Sequence, residues 1–303
     1  MRSSPSAVPP AVPGGRVHAT LVLVQLAFGG FHVVAKAVLG ALPPLALAGL
    51  RVGIATPFLV WLAWRRDHVI PARADWPRLA LLGALGVTAN QLLFITGLRY
   101  TTAINAAILQ PSLPVFAAAA AALLGIERIA PRRLLGIVLS VAGSLVLVDP
   151  FRFSAGGTAA LGNVLIIGNC LCYALFLVLQ RPLLERIPWR TLIAAAFVFG
   201  GGAVLLLSLP TLARLDWAAV PAGAWWGLAY IVACATVFAY AANTWAVRRS
   251  SPALVAAYST LQPLTAAALA ATFLGERFGW GEAAGFALIV AGLWQVSARP
   301  AAR

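Results

Sequence analysis

Polar and aromatic side chains recur every three or four residues inside runs that are otherwise apolar. One run carries Gln25, Phe28, His32 and Lys36; others carry Asn90, Gln91 and Phe94, then Asn105, Gln110 and Ser112. Later runs carry Asn169, Tyr173, Phe176 and Gln180, then Thr236, Tyr240 and Asn243, and finally Tyr258, Gln262 and Thr265. At helical spacing each set lines one face. Amides mixed with aromatic rings suit a site that holds a small amphiphilic or zwitterionic molecule; the simpler use of the same groups is to join helix to helix. Gln25, Phe28, His32, Lys36, Asn90, Gln91, Asn105, Gln110, Asn169, Tyr173, Tyr240, Asn243, Tyr258 and Gln262 are therefore the substrate-binding candidates. Arg51, Pro114, Glu127, Pro263 and Glu276 are the structural or gating ones.

Catalytic constellations are missing from the same inventory. The histidines are His18, His32 and His68, with no HExxH and no GxSxG, and the only lysine, in "VVAKAV", excludes a P-loop. Cys170, Cys172 and Cys234 lie in apolar runs at a spacing that matches no zinc pattern, and they read as buried small hydrophobes. The expectation is a protein that is not an enzyme, with no metal and no cofactor. A membrane-embedded enzyme and a non-transporting scaffold or helper subunit are the alternatives.

The elements that must position these stripes follow from composition. Of 303 residues, 61% are hydrophobic and 10% charged, and the mean hydropathy is +0.91, so the chain cannot coat a soluble globule of this size. A span needs roughly 20 apolar residues to cross ~30 Å of hydrocarbon. That ruler predicts ten spans, at about 17–40, 44–64, 77–98, 101–124, 132–149, 159–181, 191–210, 222–247, 251–274 and 280–298. Residues 1–16 are Pro-rich and polar and read as a disordered tail, and 299–303 as a short C-terminal one. The apolar run after the first tail is long for a signal peptide and is taken as a retained helix.

The net charge of +14 is an orientation signal and not a nucleic-acid footprint. With the N-terminus inside and alternating spans, sixteen of the 22 basic residues fall in inner segments and four (Arg99, Arg152, Arg214 and Arg277) in outer ones, while Lys36 and Arg51 lie within spans. The bias places both termini in the cytoplasm of a multi-pass protein of the cell (inner or plasma) membrane. The expected partners are the lipid bilayer and a small-molecule substrate, with no nucleic acid; the oligomeric state is left open.

Sliding the chain by 149 residues lays "LQPSLPVFAAAAAALLGIER" over "STLQPLTAAALAATFLGER", and 15 of 50 pairs in 99–148 against 248–297 are identical, among them Pro114/Pro263, Glu127/Glu276, Gly136/Gly285 and Gly143/Gly292. A second register, offset by 145, pairs Phe28 with Tyr173, Lys36 with Arg181 and Pro43 with Pro188. Five spans per half is an odd number, so the halves, 17–150 and 151–298, enter the membrane from opposite sides. Inverted repeats build transporters whose halves rock about a midplane site. The expected fold is an all-α integral membrane protein, ten transmembrane helices in two inverted five-helix repeats around a central cavity. The alanine runs and glycine pairs would permit close helix packing, and Pro111, Pro114 and Pro263 would permit kinks.

These residues resemble the EamA-type members of the drug/metabolite transporter superfamily over roughly 17–298. The resemblance rests on "LGIER" and "LGER", the Gly-rich "GIVLSVAGSLVLV" and "GFALIVAGLWQV" that follow them, "FGGFHVVAKAVL" and "ALAGLRVGIATP". Phe28 stands where a Trp is common in the family, and "LGIER" carries one extra residue. The resemblance implies two five-helix repeats and export of small metabolites, an amino acid or related amphiphile being the class considered. No Asp or Glu lies in the central part of a span, so His32 is the only candidate for a proton relay there. The expectation is a uniporter or exchanger in which His32 is a hydrogen-bonding wall of the site.

Overall fold

A computed structural model describes residues 14–101, 103–127, 129–148, 157–263, 265 and 280–297. Among these, every regular element is helical. Six helices are long and apolar enough to cross a membrane: α1 (Gly15–Val38), α2 (Pro44–Asp67), α3 (Arg73–Tyr100), α7 (Thr158–Leu183), α8 (Trp189–Ala213) and α9 (Ala222–Arg249). Shorter helices complete the order: α4 (Ala103–Leu109), α5 (Ser112–Leu123), α6 (Pro131–Val148), α10 (Pro252–Leu261) and α11 (Trp280–Ser297).

Prolines set several of the helix starts. Pro44, Pro131 and Pro252 each open a helix, where the missing N–H would have had no partner anyway. Ser251 caps α10 by accepting from Leu254 N at 3.3 Å. Gly125, with φ +65°, ends α5; Ile126 N then reaches Ala121 O and Gly125 N reaches Ala122 O, which closes a Schellman turn over the last carbonyls.

Large apolar side chains face outward along the long helices, among them Leu23, Leu26, Leu206, Leu207 and Val164, whereas Gln25, His32, Arg51, Asn90 and Gln91 are buried. An apolar exterior over a polar interior fits a lipid solvent. The helices pair in a way that the 149-residue offset orders. α2 packs on α8 and α6 on α11; α1 packs on α9 and α10, and α7 on α3 and α5.

Glycine permits the α6–α11 contact. A Cβ on Gly143 would lie 2.6 Å from Gly285 O, and one on Gly136 would lie 2.7 Å from Gly292 O. These two contacts interchange under the repeat, Gly136 matching Gly285 and Gly143 matching Gly292. Gly143→Val therefore forces the helices apart and is expected to destabilise the protein by ~1–3 kcal/mol or more. Gly202→Ala, where a Cβ meets nothing within 4 Å, serves as the control and should not lower the melting temperature. Equal melting of Gly143→Val and the parent would refute the close approach.

Candidate functional site

Four interruptions of regular helix surround the centre of the bundle, and they come in pairs 149 residues apart. α3 carries a π-helical turn at Ala84–Ala89 and α9 one at Ala233–Phe238. The helix formed by α4 and α5 breaks at Gln110 and Pro111, and α10 tightens to 3-10 geometry over Tyr258–Leu261. Proline explains the second pair. Pro114 and Pro263 have no N–H to give the carbonyl four residues back, so Gln110 O accepts from Leu113 N and Ser259 O from Gln262 N, three residues on. These two bonds are equivalent under the offset.

The π turns release backbone carbonyls, and each is taken up by a side chain of the other half. Tyr240 Oη lies 3.0 Å from Gly86 O and 2.7 Å from Asn90 Oδ1. Arg51 donates from its Nη2 to Ala235 O at 3.0 Å and from Nε to Thr236 Oγ1 at 2.5 Å. Gly86 and Ala235 are offset partners. Thr236 Oγ1 passes its own hydrogen to Ile231 O at 2.7 Å, five residues back. Helices that widen in this way are frequent at functional sites.

Between these elements lies a cavity of about 50 Å³, lined by Phe28, Phe31, His32, Arg51, Asn90, Phe94, Gln110, Leu113, Asn169, Tyr173, Tyr240 and Gln262. A water occupies roughly 10–15 Å³ on this measure, so the cavity holds only a few waters in this conformation. Aromatic rings pack around it: Phe28 meets Tyr173 at 6.3 Å and Tyr240 at 6.4 Å edge to face, and Phe31 stacks on Phe94 at 5.1 Å. The polar groups are chained. His32 Nε2 pairs with Gln262 Oε1 at 3.1 Å, and Gln262 Nε2 donates to Gln25 Oε1 at 2.9 Å. Asn169 Nδ2 donates to Asn90 O at 2.8 Å and Asn243 Nδ2 to Tyr173 Oη at 2.7 Å.

The expected substrate-binding residues divide accordingly. Phe28, His32, Asn90, Gln110, Asn169, Tyr173, Tyr240 and Gln262 line the cavity. Gln25 and Asn243 stand one hydrogen bond behind it. The other four are placed away from it. Asn105 joins Thr101 and Asn163 between helices, and Tyr258 meets His18 Nδ1 at 2.5 Å. Gln91 is buried with neither amide atom bonded among the described residues. Lys36 leaves the stripe at the end of α1, where its Nζ donates to Leu98 O at 2.6 Å and Thr101 O at 3.0 Å, the orphan carbonyls at the end of α3.

Among the gating candidates, Pro114 and Pro263 lie at the helix interruptions. Glu127 accepts from Arg133 at 2.6 Å and from Ala253 N at the start of α10 at 3.4 Å. Glu276 lies outside the described residues. Arg51 differs from expectation, because it borders the cavity itself. It is 2% exposed, its Cζ sits 4.5 Å over the Phe31 ring, and among the described residues no carboxylate meets it. Burying an ion costs several kcal/mol, offset by two hydrogen bonds at ~1.5–3 kcal/mol each and a cation–π contact of ~0.5–2 kcal/mol. Phe31 and Leu113 were outside the stripes. The signals that point to them are the i+3 step from Phe28 and the offset that pairs Leu113 with Gln262.

The EamA-like transporter family model matches this chain twice, over residues 16–149 and 160–298. The chain belongs to the EamA-like transporter family. The two matches show its two-repeat architecture, and with the long apolar helices they make it a multi-pass membrane protein in contact with the bilayer. "Uncharacterized transporter" of Archaeoglobus fulgidus is 31% identical over 293 residues, covering 94% of this chain and 98% of that one. "Protein WALLS ARE THIN 1" of Arabidopsis thaliana is 28% identical over 324 residues, 93% of this chain and 82% of that one. A crystal structure at 18% identity superposes with a TM-score of 0.74 over 93% of this chain and 95% of that chain, which shows the shared fold.

Proposed function

We propose that this protein carries a small amphiphilic metabolite across the cell membrane by alternating access, as an exporter that works by exchange or uniport. Ten spans form two inverted five-helix repeats, 17–150 and 151–298, with both termini in the cytoplasm. The observation that carries the reading is the set of four helix interruptions, paired by the repeat and gathered around one cavity. Discontinuous helices at corresponding positions of two halves mark the site of a rocking-bundle carrier.

Two repeat-related contacts supply the doors. α1 and the α9–α10 segment form one bundle, and α7 with α3 and α4–α5 form the other. At one end Lys36 of α1 ties to the last carbonyls of α3. At the other, Arg181 of α7, the partner of Lys36 in the 145-residue register, donates from Nη1 to Val247 O and Arg248 O, both at 2.8 Å, at the end of α9. Leu98 and Val247 correspond in the 149-residue register. Each tie bridges the two bundles, so opening at either end requires the loss of one tie and the retention of the other. Both are made here, in keeping with the small cavity. The Arg181 end also carries the ion pairs Asp67–Arg190 at 2.7 Å and Asp75–Arg186 at 2.5 Å.

Counterflow in proteoliposomes preloaded with a candidate metabolite tests the reading. Tracer should accumulate transiently without ATP, and an imposed pH gradient should neither be required nor alter it in His32→Gln. Gradient-driven accumulation abolished by that substitution would make His32 a proton carrier and overturn exchange. No counterflow with any of a panel of amino acids, amines and organic acids would favour a scaffold. Orientation has its own check. In a cysteine-free background, Ala218→Cys, in the exposed turn before α9, should label from outside with an impermeant maleimide, and Ala74→Cys, just inside α3, should not. The reverse pattern would invert the topology.

A further inference from the structure

Among the described residues, the central cavity contains a charge without a counter-charge. Of the twelve described residues that line it, only Arg51 carries a fixed charge and none is acidic. Arg51 is held from behind. Its Nε and one Nη are engaged by Thr236 Oγ1 and Ala235 O, and Phe31 lies beneath the guanidinium plane. The remaining N–H donors meet no protein acceptor in the hydrogen bonds of the described residues. A guanidinium fixed on one edge and open on another is a preformed fork for a planar oxyanion.

We propose, building on the transport reading, that Arg51 is the anchor for the carboxylate of an organic monoanion whose body is flat and apolar. The charge follows from neutralisation, because one buried cation is matched by one negative charge, and a dianion would leave an unpaired charge in the same cavity. The body follows from the walls. Phe28, Phe31, Phe94, Tyr173 and Tyr240 present rings on several sides, and rings stack on flat apolar groups.

A zwitterion fits less well. Its ammonium brings three donors, and two of the amide acceptors lining the cavity are already engaged, Asn90 Oδ1 by Tyr240 and Gln262 Oε1 by His32. His32 Nδ1 has no partner among the described residues, and with Gln262 Oε1 accepting from Nε2–H it is left as an acceptor. It can take one hydrogen bond from a hydroxyl or ring N–H on the ligand body, a task for which an ammonium is not needed.

The test is equilibrium binding to the purified full-length protein in nanodiscs, read by calorimetry or thermal shift, with phenylacetate, phenylacetamide, phenylalanine, phenethylamine and phenylmethanesulfonate as probes. Phenylacetate should bind about tenfold or more tightly than phenylacetamide, which has the same shape without the charge, and phenethylamine should not compete. Arg51→Met should abolish the preference for phenylacetate over phenylacetamide, and Arg51→Lys should keep part of it, because an ammonium supplies charge without the fork. Equal binding of phenylacetate and phenylacetamide by the parent protein would overturn the proposal even if no Arg51 variant folds. Phenylalanine bound as tightly as phenylacetate would overturn the monoanion assignment. Phenylmethanesulfonate separates geometry from charge: if it binds as well as phenylacetate, the planar-carboxylate assignment fails. Binding of phenylacetate without counterflow would leave the anchor standing and refute the transport reading. Counterflow of amines with no carboxylate preference would do the opposite.

Discussion

Lys36→Met should shift the protein toward the conformation open at the Lys36 end of the bundle, and Arg181→Met should shift it toward the opposite opening. Each cation satisfies carbonyls that a helix end leaves without partners and sits at the negative pole of that helix, α3 in one case and α9 in the other. Both side chains retain some contact with solvent, so the contribution is about 1–2 kcal/mol each, which is a factor of roughly 5–30 in the ratio of open to closed forms. Because the two ties are repeat-related, the sign of the effect must reverse between them. Spin-label pairs across α1–α3 and across α7–α9, measured by pulsed dipolar spectroscopy, report both ends at once. The double variant should return near the parental balance while widening both distance distributions. If both single variants open the same end, the ties are not opposing gates and this account of alternating access fails.

Tyr240→Ala should be among the most damaging single substitutions in the chain. The ring is fully buried and packs against Phe176, Phe197, Tyr173 and Phe28, and its hydroxyl serves the carbonyl that the first π turn releases. Losing the ring removes ~3–5 kcal/mol. Tyr240→Phe keeps the ring and removes the single hydroxyl hydrogen that lies between Gly86 O and Asn90 Oδ1, a loss of ~1–3 kcal/mol. Melting of the purified protein should therefore rank parent, Phe and Ala in that order, with a larger gap between Phe and Ala than between parent and Phe. A Phe variant as unstable as Ala would assign the role of Tyr240 to the hydroxyl network and not to packing.

Much of this architecture was legible in the residues. The apolar run lengths announced the long helices, and the 149-residue register matched Pro114 with Pro263 and Gly143 with Gly292, positions that lie at corresponding helix interruptions and on the two sides of the α6–α11 contact. Helical spacing collected Phe28 with His32 and Asn169 with Tyr173, and these four do line one cavity. All of these signals are local or repetitive, and periodicity reads such signals directly.

Spacing could not decide which end of a stripe stays in the cavity. Lys36 continues the stripe of Phe28 and His32 but is drawn to the end of α3, because orphan carbonyls there compete for a cation. Asn105 and Tyr258 carry the same chemistry as Asn169 and Tyr173 yet serve helix-to-helix bonds, and nothing about their own sequence neighbourhoods distinguishes the two fates. The π turns are the clearest case. Residues 84–98 and 233–247 share a single identity, Ala84 with Ala233, yet both segments widen at the same repeat position. Each widening is held by a side chain from the opposite half, Tyr240 in one and Arg51 in the other. Sequence alone determined a helical membrane chain of two related halves and most of its cavity. Only the tertiary structure decided where the helices open and that Arg51 faces the centre, because a released carbonyl and a buried charge are stabilised by partners about 150 to 190 residues away along the chain.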